Sequence, residues 1–100
     1  MKLVKLMALS IVMACSACAN AADIEKGKKK AEVCAGCHGP DGISFIPLYP
    51  NLKGQKAAYT LKQLKDFKSG VRKEANMALQ MKNLTEEDMA NIAAYYESLK

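Results

Sequence analysis

Cys34-Ala35-Gly36-Cys37-His38 is the stretch on which the reading of this chain turns. It has the form C-x-x-C-H, the pattern through which haem c is attached covalently in exported proteins. The spacing has a mechanical reason. Two thiols two residues apart at the end of a helix can each add to one of the two vinyl groups of a haem and form thioethers. The next residue, His38, then lies under the iron and can ligate it through Nε2. Gly36 leaves room for the chain to bend against the porphyrin.

Other uses of the same residues fit less well. A thioredoxin-like dithiol needs a βαβ frame, and no stretch of this chain alternates as a strand does. A zinc site needs four ligands, whereas the sequence holds one His beside this pair of cysteines and no second ligand cluster. A plain disulfide would leave His38 without a role. Cys15-Ser16-Ala17-Cys18 has the same cysteine spacing, but Ala19 follows it.

The N-terminus reads as an export signal over residues 1–21, leaving a domain over residues 22–100. Lys2 and Lys5 make a positive start, Leu6 to Ala14 is apolar, and Ala17-Cys18-Ala19 and Ala19-Asn20-Ala21 both suit cleavage. As a helix the apolar run would rise about 14 Å, short of the roughly 30 Å of a bilayer core. An alternative reading of Val12-Met13-Ala14-Cys15 as a lipobox would make Cys15 a lipid anchor. The expected location is the periplasm in either case. Once the signal is gone, Cys34 and Cys37 are the cysteines left, and Met77, Met81 and Met89 the methionines.

The domain reads as all-α, three main helices and long loops. Asp23 to Val33 is the first helix, with Asp23 as its N-cap and Ile24 and Ala31 as its apolar positions. Gly27 inside it costs about 1 kcal/mol, which points to a close packing contact. Pro40, Gly42, Pro47, Pro50 and Gly54 make residues 39–54 a loop. Ala58, Leu61, Leu64 and Phe67 recur at helical spacing between Gln55 and Ser69, and Gly70 is a natural stop. Val71 to Leu84 shows no clear period. Thr85-Glu86-Glu87-Asp88 resembles a capping box with Asp in place of the usual Glu or Gln. Met89, Ile92, Tyr96 and Leu99 then mark one face of a last helix.

Segments beyond the haem motif resemble a class I cytochrome c of the short single-haem bacterial type, similar to one half of a di-haem cytochrome. They are Glu25-Lys26-Gly27-Lys28, Cys34 to Gly39, Tyr49-Pro50-Asn51-Leu52-Lys53-Gly54-Gln55, Tyr59, Gln63-Leu64, Phe67, Gly70, Arg72, Leu84 to Asp88, and Ile92 to Tyr96. The resemblance implies the small class I cytochrome c fold wrapped around one haem. It also implies a distal Met seven residues before the Leu that opens the last helix, which is Met77 counted from Leu84. Met81 and an open iron are the alternatives. His38 and Met77 would then ligate the metal and Cys34 and Cys37 would hold the porphyrin, with the Pro50 carbonyl accepting the Nδ1 proton of His38 and so fixing its tautomer. His/Met ligation raises the reduction potential relative to two imidazoles. Gly27 against Tyr95 would be the crossing of the first and last helices.

A domain this small needs a staple. Burying several hundred Å² of porphyrin at about 25 cal/mol per Å² is worth on the order of 10 kcal/mol. Leu48, Tyr49, Leu52, Leu61, Leu64, Phe67 and Leu79 are the candidate pocket walls. Fifteen Lys and Arg against ten Asp and Glu give +5, with clusters at Lys26 to Lys30 and along the second helix. These are either a solvated face or a field that steers acidic redox partners.

The expected role is a periplasmic one-electron carrier and not an enzyme. The expected donor is a quinol–cytochrome c reductase, and the acceptor a terminal oxidase, peroxidase or reductase. No nucleic-acid partner and no transmembrane span in the mature chain are expected, and a monomer is. A haem enzyme or gas sensor with an open or displaceable ligand, or a haem subunit of a larger oxidoreductase, are the competing roles. No Ser/His/Asp set, phosphate loop or carboxylate pair supports other catalysis.

Overall fold

The computed structural model describes residues 21–100. The export reading of residues 1–20 and the Cys15 alternative lie outside the described residues. Five helices follow one another: α1 (Ile24–Lys30), α2 (Glu32–His38), α3 (Ala57–Ser69), α4 (Ala75–Met81) and α5 (Glu86–Ser98). Among the described residues there is no strand, so the fold is all-α. The three main helical segments are where the periodicity puts them, and two of their boundaries move.

The first segment runs further than Val33. It carries the cysteine motif inside a helix and breaks only at Ala31, where the Cys34 N–H bonds the Ala31 carbonyl at 2.8 Å as a tight i−3 turn. Asp23 caps it, its side chain accepting the Lys26 N–H at 3.0 Å. The buried stripe is Gly27, Ala31, Cys34 and His38, while Ile24 stands 44% exposed. Small residues lead because this face meets α5 at backbone distance. A Cβ at position 27 would collide with the Asn91 carbonyl. The close approach expected at Gly27 is therefore present, but its nearest atoms are the Asn91–Ile92 backbone and not the Tyr95 ring. Asn91 adds a tie, its Oδ1 accepting the Asp23 N–H at 2.8 Å.

The second segment begins at Ala57, two residues later than Gln55, because residues 52–55 are spent on a turn in which the Gln55 N–H bonds the Leu52 carbonyl at 3.1 Å. It stops at Gly70, whose φ of 89° suits a left-handed cap. The last helix has both halves of its capping box. Thr85 Oγ1 accepts the Asp88 N–H and Asp88 Oδ2 accepts the Thr85 N–H, each at 3.0 Å.

The short helix α4 has no periodic signal in the sequence. Only Met81 along it is buried, with Met77 half-buried, so two anchors one turn apart are all the pattern available. Glu74 starts it by accepting the Asn76 N–H at 2.9 Å. α1 and α3 both pack on α5, and α4 packs on α3. The core they share includes Leu64, Phe67, Met81, Leu84, Ile92 and Tyr96. No helix among the described residues is long and apolar enough to cross a membrane.

Candidate functional site

Cys34, Cys37 and His38 stand at i, i+3 and i+4 on α2, a spacing that places all three side chains on one side of the helix. Cys34 is buried and Cys37 exposed, and both are free thiols. α2 ends directly after the histidine. Gly39 has a φ of 88°, and a Cβ there would collide with the Ile43 carbonyl, so only glycine lets the chain double back at this point.

That reversal returns the loop to the imidazole. Leu52 and Lys53 donate their N–H groups to the Gly42 carbonyl at 2.7 and 3.0 Å, and Ser44 donates its N–H to Asn51 Oδ1 at 2.8 Å. The Pro50 carbonyl is thereby held 2.8 Å from His38 Nδ1. A carbonyl can only accept, so Nδ1 is the donor in this bond and Nε2 is the ring nitrogen left for another partner. The ring is buried at 7% exposure, with Tyr49 tilted against it, centroids 6.1 Å apart.

Burial pushes the Cys34 thiol above its ordinary value, partly offset by the neighbouring Tyr96 hydroxyl. Burial and then the neighbouring Cys34 push Tyr96 well above the usual phenol range. Both are neutral at neutral pH, so α5 presents an uncharged hydroxyl to the buried member of the pair. Nothing in the sequence pattern signals this contact beyond the apolar period that holds Tyr96.

The three methionines differ sharply. Met81 is fully buried at 0% exposure and Met89 at 3%, both inside the core cluster. Met77 lies half-buried against that cluster. Of the pocket-wall candidates, Leu64 and Phe67 are buried and Leu52 and Leu61 pack against the core from its edge. Tyr49 leans on His38, while Leu48 and Leu79 are 87% and 61% exposed. Thr60, on the buried side of α3 with Leu64 and Phe67, has a buried hydroxyl without a partner among the described residues.

The donor set fits haem c. It offers two thiols on one helical face, an adjacent imidazole whose only free nitrogen is Nε2, a half-buried thioether, and leucines at solvent that a flat apolar ring would cover. The residues do not fit a zinc site, since no group of three or more His, Cys, Asp or Glu side chains gathers among the described residues in a way that could hold a metal ion by itself.

Lys68 and Arg72 belong to the basic cluster on α3 and its C-terminal end, but their heads are tied locally. Lys68 Nζ donates to the carbonyls of Met81 and Leu84. Arg72 donates to Gln63 Oε1 at 2.8 Å and stacks over Phe67, 4.5 Å from its centroid. Lys62 pairs with Asp66, Lys65 with Glu86 and Lys30 with Asp88. Much of the second basic cluster is thus spent within the fold.

Comparison with known proteins places this geometry. The family described as Cytochrome c matches residues 24–100. Cytochrome c4 of Pseudomonas aeruginosa is 43% identical over 96 residues, covering 95% of this chain and 48% of that protein. Cytochrome c-554(548) of Halomonas halodenitrificans is 44% identical over 81 residues, covering 78% of this chain and 98% of that protein. Among solved structures, reduced recombinant cytochrome c4 from Pseudomonas stutzeri superposes with a TM-score of 0.76 at 42% identity, covering 80% of this chain and 47% of that one. The chain spans about half the length of the cytochrome c4 relatives it matches and nearly all of the Halomonas protein.

Proposed function

Because the chain belongs to the cytochrome c family, with the class I fold and one covalent haem c to the domain, we propose that it is a one-electron carrier working in the periplasm with the haem held by Cys34, Cys37, His38 and Met77. Bound haem c supplies the one-electron iron couple and a largely apolar ring. The chain's residues do the rest. Cys34 and Cys37 tether the ring through thioethers. His38 offers Nε2 to the iron, and the Pro50 carbonyl holds Nδ1–H so that the imidazole keeps one tautomer and one orientation. Met77 would supply a thioether to the iron. Its half-burial leaves its sulfur available, while Met81 and Met89 are committed to packing. A thioether there raises the potential relative to a second imidazole.

The observation that carries this reading is the 2.8 Å contact between His38 Nδ1 and the Pro50 carbonyl. It leaves the imidazole beside the two thiols with one nitrogen, and one only, for a metal. With His38 and Met77 both given to the iron, the haem would have no site left for a substrate, which favours electron transfer over catalysis or gas sensing. Residues 1–21 act as the export signal in this account. The donor is a quinol-oxidising complex and the acceptor a terminal oxidase, peroxidase or reductase, reached as a soluble monomer through small, salt-sensitive contacts.

A reductive titration with carbon monoxide added to the reduced form tests it. The expected result is a reversible one-electron wave and a reduced protein whose spectrum ignores CO. Rapid CO binding by the untreated native protein would replace the carrier with a sensor or enzyme.

A further inference from the structure

α3 grips the segment that carries Met77 at both ends. At the leading end, Arg72 bonds Gln63 Oε1 at 2.8 Å, lies over the Phe67 ring, and its N–H donates to the Asp66 carbonyl at 3.0 Å. At the trailing end, the Lys68 ammonium reaches two carbonyls, that of Met81 at 3.2 Å and that of Leu84. Between the two grips lies α4, seven residues long with one fully buried side chain. A helix of that length has no stability of its own in water, so its register must be imposed from outside.

We infer that Lys68 is a positioning residue for Met77: its ammonium, seated on the Met81 and Leu84 carbonyls, fixes the register of α4 and with it the point from which the Met77 sulfur meets the iron. The inference rests on the reading of Met77 as axial ligand. Three features make Lys68 suited to this. A cation complements the negative end of a helix. Hydrogen bonds from a charged donor are stronger than neutral ones. And the two carbonyls bracket the turn between α4 and α5, where the Leu84 N–H already bonds the Met81 carbonyl at 3.0 Å, so one side chain locks the whole turn to α3. Met81, buried one turn beyond Met77, anchors the same end by packing, and Lys68 adds direction to that anchor.

The test compares wild-type holoprotein with Lys68→Met, Lys68→Arg and Met77→Leu, well below their melting temperatures. It reads the sulfur-to-iron charge-transfer band of the oxidised form and the CO-accessible fraction of the reduced form. Met77→Leu is expected to lose the band and bind CO. Lys68→Met is expected to keep its haem but weaken the band, with the CO-accessible fraction rising about tenfold. Lys68→Arg is expected to recover most of both signals, because it keeps a cationic donor.

If Lys68→Met matches wild type in band and CO response, Lys68 is only a structural contact and the inference fails, even if the melting temperature drops. If the band survives in Met77→Leu, the ligand assignment itself fails and takes the inference with it. Should Lys68→Met yield no holoprotein, Lys68→Gln is read against the same two signals.

Discussion

The two sides of this small domain are held by different physics. On one side α1 crosses α5 at backbone distance, with Gly27 against the Asn91–Ile92 backbone, Asn91 tied to Asp23, and a full capping box starting α5. Every device there is complete within the chain. On the other side α4 is two turns long, carries the exposed Leu79 and the half-buried Met77, and is held by Met81 in the core, by Lys68 reaching from α3, and by Arg72 bonding back to Gln63 on α3. The first side is built to be rigid whatever occupies the site. The second hangs on one buried side chain and a few bonds from α3.

That contrast can be broken from either side, and the largest effect belongs to the rigid one. Gly27→Leu drives a side chain into the Asn91 carbonyl. The expected loss is at least about 3 kcal/mol, read as a steep fall in the melting temperature of the holoprotein, with the absorption spectrum of surviving folded protein unchanged. A variant that melts like wild type would mean the helices do not meet at Gly27.

Met81→Ala comes next. It removes a fully buried side chain from beneath α4 and should cost about 2–3 kcal/mol by thermal or denaturant unfolding, while the sulfur–iron band persists. Loss of the band with little loss of stability would exchange the roles of Met77 and Met81.

The smallest effect lies in the capping box. The Thr85 backbone N–H, foremost, with the Thr85 hydroxyl and Lys30 adding to it, holds the Asp88 carboxyl below the usual carboxylate range. A folded value below the unfolded one stabilises the protein above the unfolded carboxylate range, and the contribution is lost as pH falls through the depressed folded value. Asp88→Ala should cost less than about 1 kcal/mol near neutral pH, because solvent screens the carboxylate, and the gap to wild type should close on acidification. A gap that stays constant down to strongly acid pH would show that the charge does not contribute.

The rigid side was also the legible one. Asp23, Thr85 and Asp88 are capping residues whose chemistry is local, and Gly70 stops α3 for a reason carried by the residue itself. Gly27 signalled a close contact by its cost. Its partner was misplaced by one helical turn, because a crossing register depends on how two helices rotate against each other and no local pattern encodes that rotation. The C-x-x-C-H run was readable for the same reason as the caps, since its three groups lie within one turn and a half.

The other side was harder. α4 has two apolar anchors and no period, so it read as a connection. Lys68 and Arg72 look like surface charge in the sequence, because a long side chain reads the same whether its head is solvated, seated on the Met81 and Leu84 carbonyls as in Lys68, or bonded to Gln63 as in Arg72. The Tyr96 hydroxyl beside Cys34 was hidden in the same manner, inside a residue that the helical period counted only as apolar.

The most direct measurement denatures the mature protein in acidified organic solvent and follows the colour together with the intact mass. Haem c on Cys34 and Cys37 predicts that the colour stays with the polypeptide and that the mass exceeds the peptide by one haem. A colourless chain at the bare peptide mass, with the porphyrin washed away or never present, would contradict the account at its root.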